Sequence, residues 1–65
     1  MKIETQYSYE KKWTLTSEID ILRIIQEELG ETDTKGVLAY IKESIANKKV
    51  MSVGSCRFRV QLPQN

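Results

Sequence analysis

The sequence predicts an α+β fold in which a small antiparallel sheet of three or four strands carries two helices on one face. Three observations predict it. Residues 3–15 alternate in the manner of β-strands, two central stretches carry apolar residues at helical spacing, and the final segment contains a glycine hairpin. With so few residues, two helices cover a sheet most simply from one side. The predicted order is β-(β)-α-α-β-β.

The N-terminal segment has a period of two, which is typical of a strand. The run is long for one strand, so we expect a reversal around residues 9–12 and two short strands. One long exchanged arm is the alternative. Tyr7, Tyr9 and Trp13 fall at odd positions and are expected to share a face. We expect Trp13 in the core, and Tyr7 and Tyr9 either in the core or at an edge that contacts a partner.

Two helices are predicted in the centre of the chain. Ser17 is placed to cap the first, and Gly30 can end it in the left-handed conformation. Asp33 or Thr34 is placed to cap the second. The expected apolar arcs are Ile21, Leu22, Ile24, Ile25 and Leu29 in the first helix, and Val37, Leu38, Tyr40, Ile41 and Ile45 in the second.

The final segment predicts a two-residue hairpin, in which Gly54 opens a type II′ turn. This register places Val53 opposite Cys56 and Met51 opposite Phe58. We expect residues 1–62 to form a single domain and residues 63–65 to fray, with the proline at 63 ending the strand.

The composition argues against catalysis and metal binding. The 65 residues include no histidine and a single cysteine. The usual general base and the commonest metal ligand are therefore missing. Cys56 lies on the apolar side of the hairpin and is expected to be buried and inert. We therefore expect a protein that is not an enzyme and uses no cofactor or metal.

The net charge of +1 hides two segments of opposite sign. Residues 17–33 carry six acidic side chains against one arginine, and residues 34–65 carry six basic side chains against one glutamate. These segments attract each other within the fold or across a dimer, or the basic segment faces an anionic partner. A domain this small without disulfides or metals favours a homodimer. The lone cysteine and the absence of a signal peptide or apolar span favour the cytoplasm.

Two groups of basic residues are candidates for partner contact. Lys35, Lys42 and Lys49 are spaced seven apart and are expected to line one side of the second helix. Arg57 and Arg59 are two apart and project from a common face of a strand. The order helix, helix, basic hairpin resembles that of a winged helix-turn-helix module, although the usual leading helix is missing. This resemblance implies nucleic-acid binding, with the hairpin as the wing.

The function expected from the sequence is that of a small intracellular interaction module. It would bind another protein as a regulator or inhibitor, using Tyr7, Tyr9 and the acidic end of the first helix. The alternative is a nucleic-acid-binding module that uses the lysine row together with Arg57 and Arg59.

Overall fold

A computed structural model describes residues 1–61 and confirms the α+β fold. The expectations for residues 63–65 lie outside the described residues. The elements, in chain order, are β1 (Ile3–Tyr7), β2 (Thr14–Thr16), α1 (Glu18–Leu29), α2 (Thr34–Ile45), β3 (Met51–Val53) and β4 (Cys56–Val60). Within residues 1–61, neither helix is long and apolar enough to cross a membrane.

The four strands form one antiparallel sheet in the order β2-β1-β4-β3. The first and last strands are therefore neighbours in its centre, where Ile3 pairs with Val60 and Tyr7 with Cys56. The predicted hairpin is confirmed, with Val53 opposite Cys56. Gly54 has a φ of +58°, and Ser55 is not among the residues with positive φ, which is the combination of a type II′ turn.

Local signals begin both helices as predicted, and Gly30 ends α1. Its φ of +72° is positive, but its ψ of −142° differs from the left-handed conformation that the sequence predicts. The Ser17 hydroxyl accepts a hydrogen bond from the Asp20 backbone N–H at 3.2 Å, and the N–H of Gly30 donates to the carbonyl of Gln26. At the second helix the Asp33 carboxylate accepts from the backbone N–H of Gly36 at 3.1 Å. These caps satisfy N–H groups that a helix terminus leaves without partners.

The core lies between the two helices and one face of the sheet. Phe58, Cys56 and Ile3 point from the sheet into this layer. The buried apolar side chains of the helices, which meet them, are Ile21, Ile25, Leu38, Ile41 and Ile45.

The expected reversal near residues 9–12 is present, but it changes which face Trp13 occupies. Ile3 pairs with Thr16 and Thr5 with Thr14, so odd positions of β1 lie beside even positions of β2. Trp13 therefore lies on the face opposite to Ile3 and Thr5, where it contacts arginine side chains. The prediction that Trp13 belongs to the core is wrong. It assumed that odd-numbered residues stay on the same face of the sheet after the turn, whereas the turn moves them to the other face.

A side chain supplies the turn chemistry that the sequence lacks between β1 and β2. The backbone N–H of Tyr7 donates to the Glu10 carboxylate at 2.8 Å, and the N–H of Glu10 donates to the Tyr7 carbonyl at 2.9 Å. A glutamate thus closes a reversal that contains no glycine, asparagine or proline.

Candidate interaction surface on the open face of the sheet

Both helices pack against one side of the sheet, and within residues 1–61 the other side is left open. We call this side the open face. Its residues, taken from the strands and the positions that continue them, are Glu4, Gln6, Trp13, Leu15, Val50, Ser52, Arg57 and Arg59. Because the other side already supplies the core, the composition of the open face is not dictated by folding alone.

The strand register arranges the open face in two rows across the sheet. In one row Leu15 pairs with Glu4 and Glu4 with Arg59, and the same register continues to Val50. Leu15 is 51% exposed and Val50 is 54% exposed. A charged centre is therefore flanked on each side by an exposed aliphatic side chain.

The second row brings Trp13 and Arg57 together. Gln6 pairs with Arg57 and Arg57 with Ser52, and continuation of the β1–β2 register puts Trp13 beside Gln6. The guanidinium carbons of Arg59 and Arg57 lie 4.2 and 5.4 Å from the centroid of the Trp13 ring. Both distances are within the range of cation–π attraction.

Polar neighbours hold the two guanidiniums in place. Arg59 donates from Nε to the Glu4 carboxylate at 2.8 Å, and Arg57 donates from Nη2 to the side-chain oxygen of Gln6. Gln6 is only 5% exposed, so this acceptor is firmly placed. An arginine has five N–H donors, and these contacts leave further donors on each for an outside acceptor.

A shallow depression of about 180 Å³ adjoins the open face, lined by Lys48, Val50, Arg59 and Val60. Lys48 has a φ of +63°, and its backbone N–H donates to the Ile45 carbonyl at 2.9 Å just after α2. This left-handed conformation costs a non-glycine residue about 1–2 kcal/mol. A lysine thus occupies a position where glycine is less strained, and it lies beside Arg59.

The three predicted lysines do not form one row on α2. Lys35 lies exposed in its first turn, but the helix ends at Ile45 and Lys49 lies beyond it. Lys42 donates to the Glu18 carboxylate at 2.8 Å, and this hydrogen bond holds the pKa of Glu18 below its usual value. The expected attraction between the acidic and basic segments therefore occurs here within the fold.

Tyr7 and Tyr9 form a separate cluster. Their rings stack with centroids 5.4 Å apart and planes 8° apart. Tyr7 is half-buried, whereas Tyr9 is 79% exposed. Burial raises the pKa of Tyr7, and the nearby negative charges of Glu27 and Glu28 raise it further. The aromatic pair thus lies near the acidic end of α1.

Cys56 is fully buried beneath the helices. Burial raises the pKa of its thiol to about 11, so the reactive thiolate is disfavoured at neutral pH. Residues 1–61 contain no group of three or more acidic, cysteine or histidine side chains placed to hold a metal ion.

Sequence reasoning identified Arg57 and Arg59 but missed the residues that orient them. The alternation of residues 3–15 predicts Trp13 in the core, and no pattern in the sequence marks Glu4 or Gln6. The missing signal was the register of the first hairpin, which decides whether residues 13 and 15 share a side with the arginines. Comparison of the chain with protein-family models, with curated proteins and with solved structures finds no match. The open face is therefore the strongest basis for inferring a function.

Proposed function

We propose that this protein is a small non-catalytic interaction module that binds another protein through the open face of its sheet. By occupying a surface of that partner it acts as a regulator or inhibitor. One observation carries the proposal: the sheet face that residues 1–61 leave open bears Trp13 in contact with two arginines. Tryptophan and arginine are the side chains that most often dominate the binding energy of protein interfaces.

The surroundings of Trp13 support the same function. Leu15 and Val50 add exposed apolar area at the two sides of the open face. Apolar contacts beside a central tryptophan and arginine are typical of an interface that excludes water on binding. The lack of histidine and the buried thiol of Cys56 favour binding over catalysis. A reducing, cytoplasmic location is part of the proposal, because the free thiol persists there.

The test compares partner capture by three proteins: the wild type, Trp13→Ala and Tyr40→Ala. Tyr40 is an aromatic residue of α2 that is 62% exposed, so its removal is the matched control. We expect quantitative mass spectrometry to find a partner that the wild type and Tyr40→Ala retain and Trp13→Ala loses. Circular dichroism establishes that each variant is folded. If Trp13→Ala retains every partner of the wild type, the open face is not the binding surface.

A second candidate function is nucleic-acid binding, favoured by the cationic Lys48, Arg57 and Arg59 on and beside the open face. Fluorescence anisotropy with a labelled duplex and a labelled single strand at about 50 and 200 mM salt tests it. Three phosphate contacts, one for each of these cations, should weaken duplex binding by roughly 40-fold over that range. If the lysines of α2 also contact the nucleic acid, Lys42→Glu should bind it more weakly than the wild type does. Equal affinities of the two proteins would exclude these lysines from the binding surface.

A further inference from the structure

We infer that the open face binds an extended acidic segment of a protein, whose carboxylates are held by Arg57 and Arg59. This inference rests on the proposed function and names the chemistry of the partner. Its basis is the arrangement of the two guanidiniums, which are fixed by Trp13, Glu4 and Gln6 before any partner arrives.

Preorganisation makes these arginines suitable for carboxylates. A free arginine loses side-chain entropy when it binds, and this loss weakens the binding that its contacts provide. Arg57 and Arg59 are already restrained by contacts with the Trp13 ring and by one hydrogen bond each. The planar fork of a guanidinium then matches the two oxygens of a carboxylate.

The spacing of the two arginines matches an extended peptide. Arg57 and Arg59 are alternate residues of β4 and point to the same side of the sheet. Alternate residues of a strand are about 6.8 Å apart, and the same spacing separates alternate side chains of an extended partner. Acidic residues at every second position of that segment can therefore meet both arginines.

The local charge favours an anion, and the depression beside Arg59 adds a third cation. Lys48 and Arg59 line this depression together with Val50 and Val60. On the open face Glu4 is the acidic residue among those described, and it is paired with Arg59. Two arginines and the adjoining lysine thus outweigh one glutamate.

The same features favour a peptide over a nucleic acid. Single-stranded nucleic acids gain affinity by stacking bases on aromatic rings, but the Trp13 ring is already in contact with two guanidiniums. The phosphate chain carries a charge at every nucleotide, whereas a peptide can place a neutral residue opposite Glu4. The whole chain has a net charge of +1, far from the basicity of typical nucleic-acid-binding domains.

The experiment measures the affinity of three fluorescein-labelled probes for the purified chain. The first is a short peptide that alternates glutamate with threonine, the second has glutamine in place of each glutamate, and the third is oligothymidine. We expect the acidic peptide to bind most tightly and to weaken with salt. Arg57→Gln/Arg59→Gln should weaken its binding by about tenfold or more.

Two control variants make the result specific. Arg23→Gln/Lys35→Gln removes the same amount of positive charge from the helices and should leave the affinity for the acidic peptide nearly unchanged. Arg57→Lys/Arg59→Lys keeps the charge but lacks the planar fork, and should still bind more weakly than the wild type. Circular dichroism shows whether each variant is folded.

Three results would overturn the inference: equal binding of the glutamate and glutamine peptides, an equal loss in the Arg23/Lys35 control, or tighter binding of oligothymidine. The proposed function is tested separately by the capture experiment. If capture of a partner depends on Trp13 but the acidic peptide does not bind, the proposed function is supported and the inference of an acidic segment is rejected. If the acidic peptide binds but Trp13→Ala retains every captured partner, the proposed function is rejected, and the inference that an acidic segment of that partner binds the open face is rejected with it.

Discussion

The Glu28 carboxylate accepts hydrogen bonds from both the backbone N–H and the side-chain hydroxyl of Ser55, with 2.6 Å between the carboxylate oxygen and the backbone nitrogen. Glu28 is near the end of α1, and Ser55 is in the turn between β3 and β4. This contact fastens the second hairpin to the helix layer. Since β4 carries Arg57 and Arg59, it also helps to fix the sheet that presents the open face.

Glu28→Gln should lower the stability of the fold, because a neutral amide accepts the two hydrogen bonds less strongly than a carboxylate. The midpoint of urea unfolding at pH 7, followed by circular dichroism, measures this loss. Glu31→Gln is the matched control, since Glu31 is exposed just beyond α1. If both substitutions shift the midpoint equally, the effect is one of net charge and not of the contact with Ser55.

The stability contributed by Glu28 should also depend on pH. The hydrogen bonds from Ser55 hold the pKa of Glu28 below its usual value of 4.5 in the folded chain. A group with a lowered folded pKa stabilises the fold fully above its unfolded pKa, and this contribution is lost as the pH falls through the folded pKa. The difference between wild type and Glu28→Gln should therefore be constant at neutral pH and shrink below about pH 4.5. A difference that persists unchanged at pH 2 contradicts this assignment.

Gly54→Ala should destabilise the fold more than Gly30→Ala. Both glycines have positive φ, so alanine strains the backbone at each by about 1–3 kcal/mol. A Cβ at Gly54 would also lie 2.8 Å from the Glu28 carboxylate, whereas at Gly30 it would have nothing within 4 Å. Urea unfolding of the two variants and of Gly54→Ala/Glu28→Ala measures both effects. The extra cost at Gly54 should shrink in the Glu28→Ala background without vanishing, because the Cβ of residue 28 itself lies 3.1 Å from the added Cβ. Equal costs with and without the Glu28 carboxylate would exclude the contact.

Most of the fold follows from local signals in the sequence. The Ser17, Asp33 and Gly30 caps bound the helices, and the Gly54 turn sets the register that buries Cys56. Each of these features is decided within four residues of chain, where capping and turn chemistry act. The pairing of β1 with β4 joins the two ends of the chain and has no local signal, so the sequence did not predict the strand order.

The candidate site was less predictable, because it depends on register across the sheet. The alternation within β4 placed Arg57 and Arg59 on one face, as the structure confirms. The position of Trp13 depends on the number of residues in the turn after Tyr7, and a change of one residue would move it to the other face. Glu10 closes that turn with its side chain, a role that residue preferences for turns do not reveal.

Cys56 should resist thiol reagents in the native protein. It is fully buried, and burial raises its pKa to about 11 from the ordinary 9.0, so little thiolate forms at pH 8. Ellman's reagent should therefore label the protein slowly in buffer and rapidly in urea that unfolds it. The signal comes from a single cysteine and needs no further assignment. Rapid stoichiometric labelling of the folded chain would show that the hairpin opens readily or that Cys56 is accessible.

The stability of the fold should fall in alkali for the same reason. The thiol ionises near pH 9 in the unfolded chain and only near pH 11 in the native one. Because the thiol then ionises in the unfolded state but not in the native one, the unfolding equilibrium shifts toward the unfolded state as the pH rises through that interval. The unfolding free energy should fall by up to about 1.4 kcal/mol per pH unit from this group. Cys56→Ala removes this contribution. Between pH 9 and 11 the unfolding free energy of Cys56→Ala should therefore change less with pH than the unfolding free energy of the wild type.

Trp13 should report directly on the open face by its fluorescence, because it is the one tryptophan of the sequence. The Arg59 guanidinium covers part of its ring at 4.2 Å, so Arg59→Gln should make the indole more accessible to acrylamide and steepen the quenching slope. Arg23→Gln, on the solvent side of α1, is the control and should leave the slope unchanged. A bound acidic peptide should protect Trp13 from acrylamide in the wild type, since it would cover both arginines and the ring that they contact. An equal slope for wild type and Arg59→Gln would mean that the arginine does not stay on the ring in solution, and the preorganisation from which we infer an acidic partner would be lost with it.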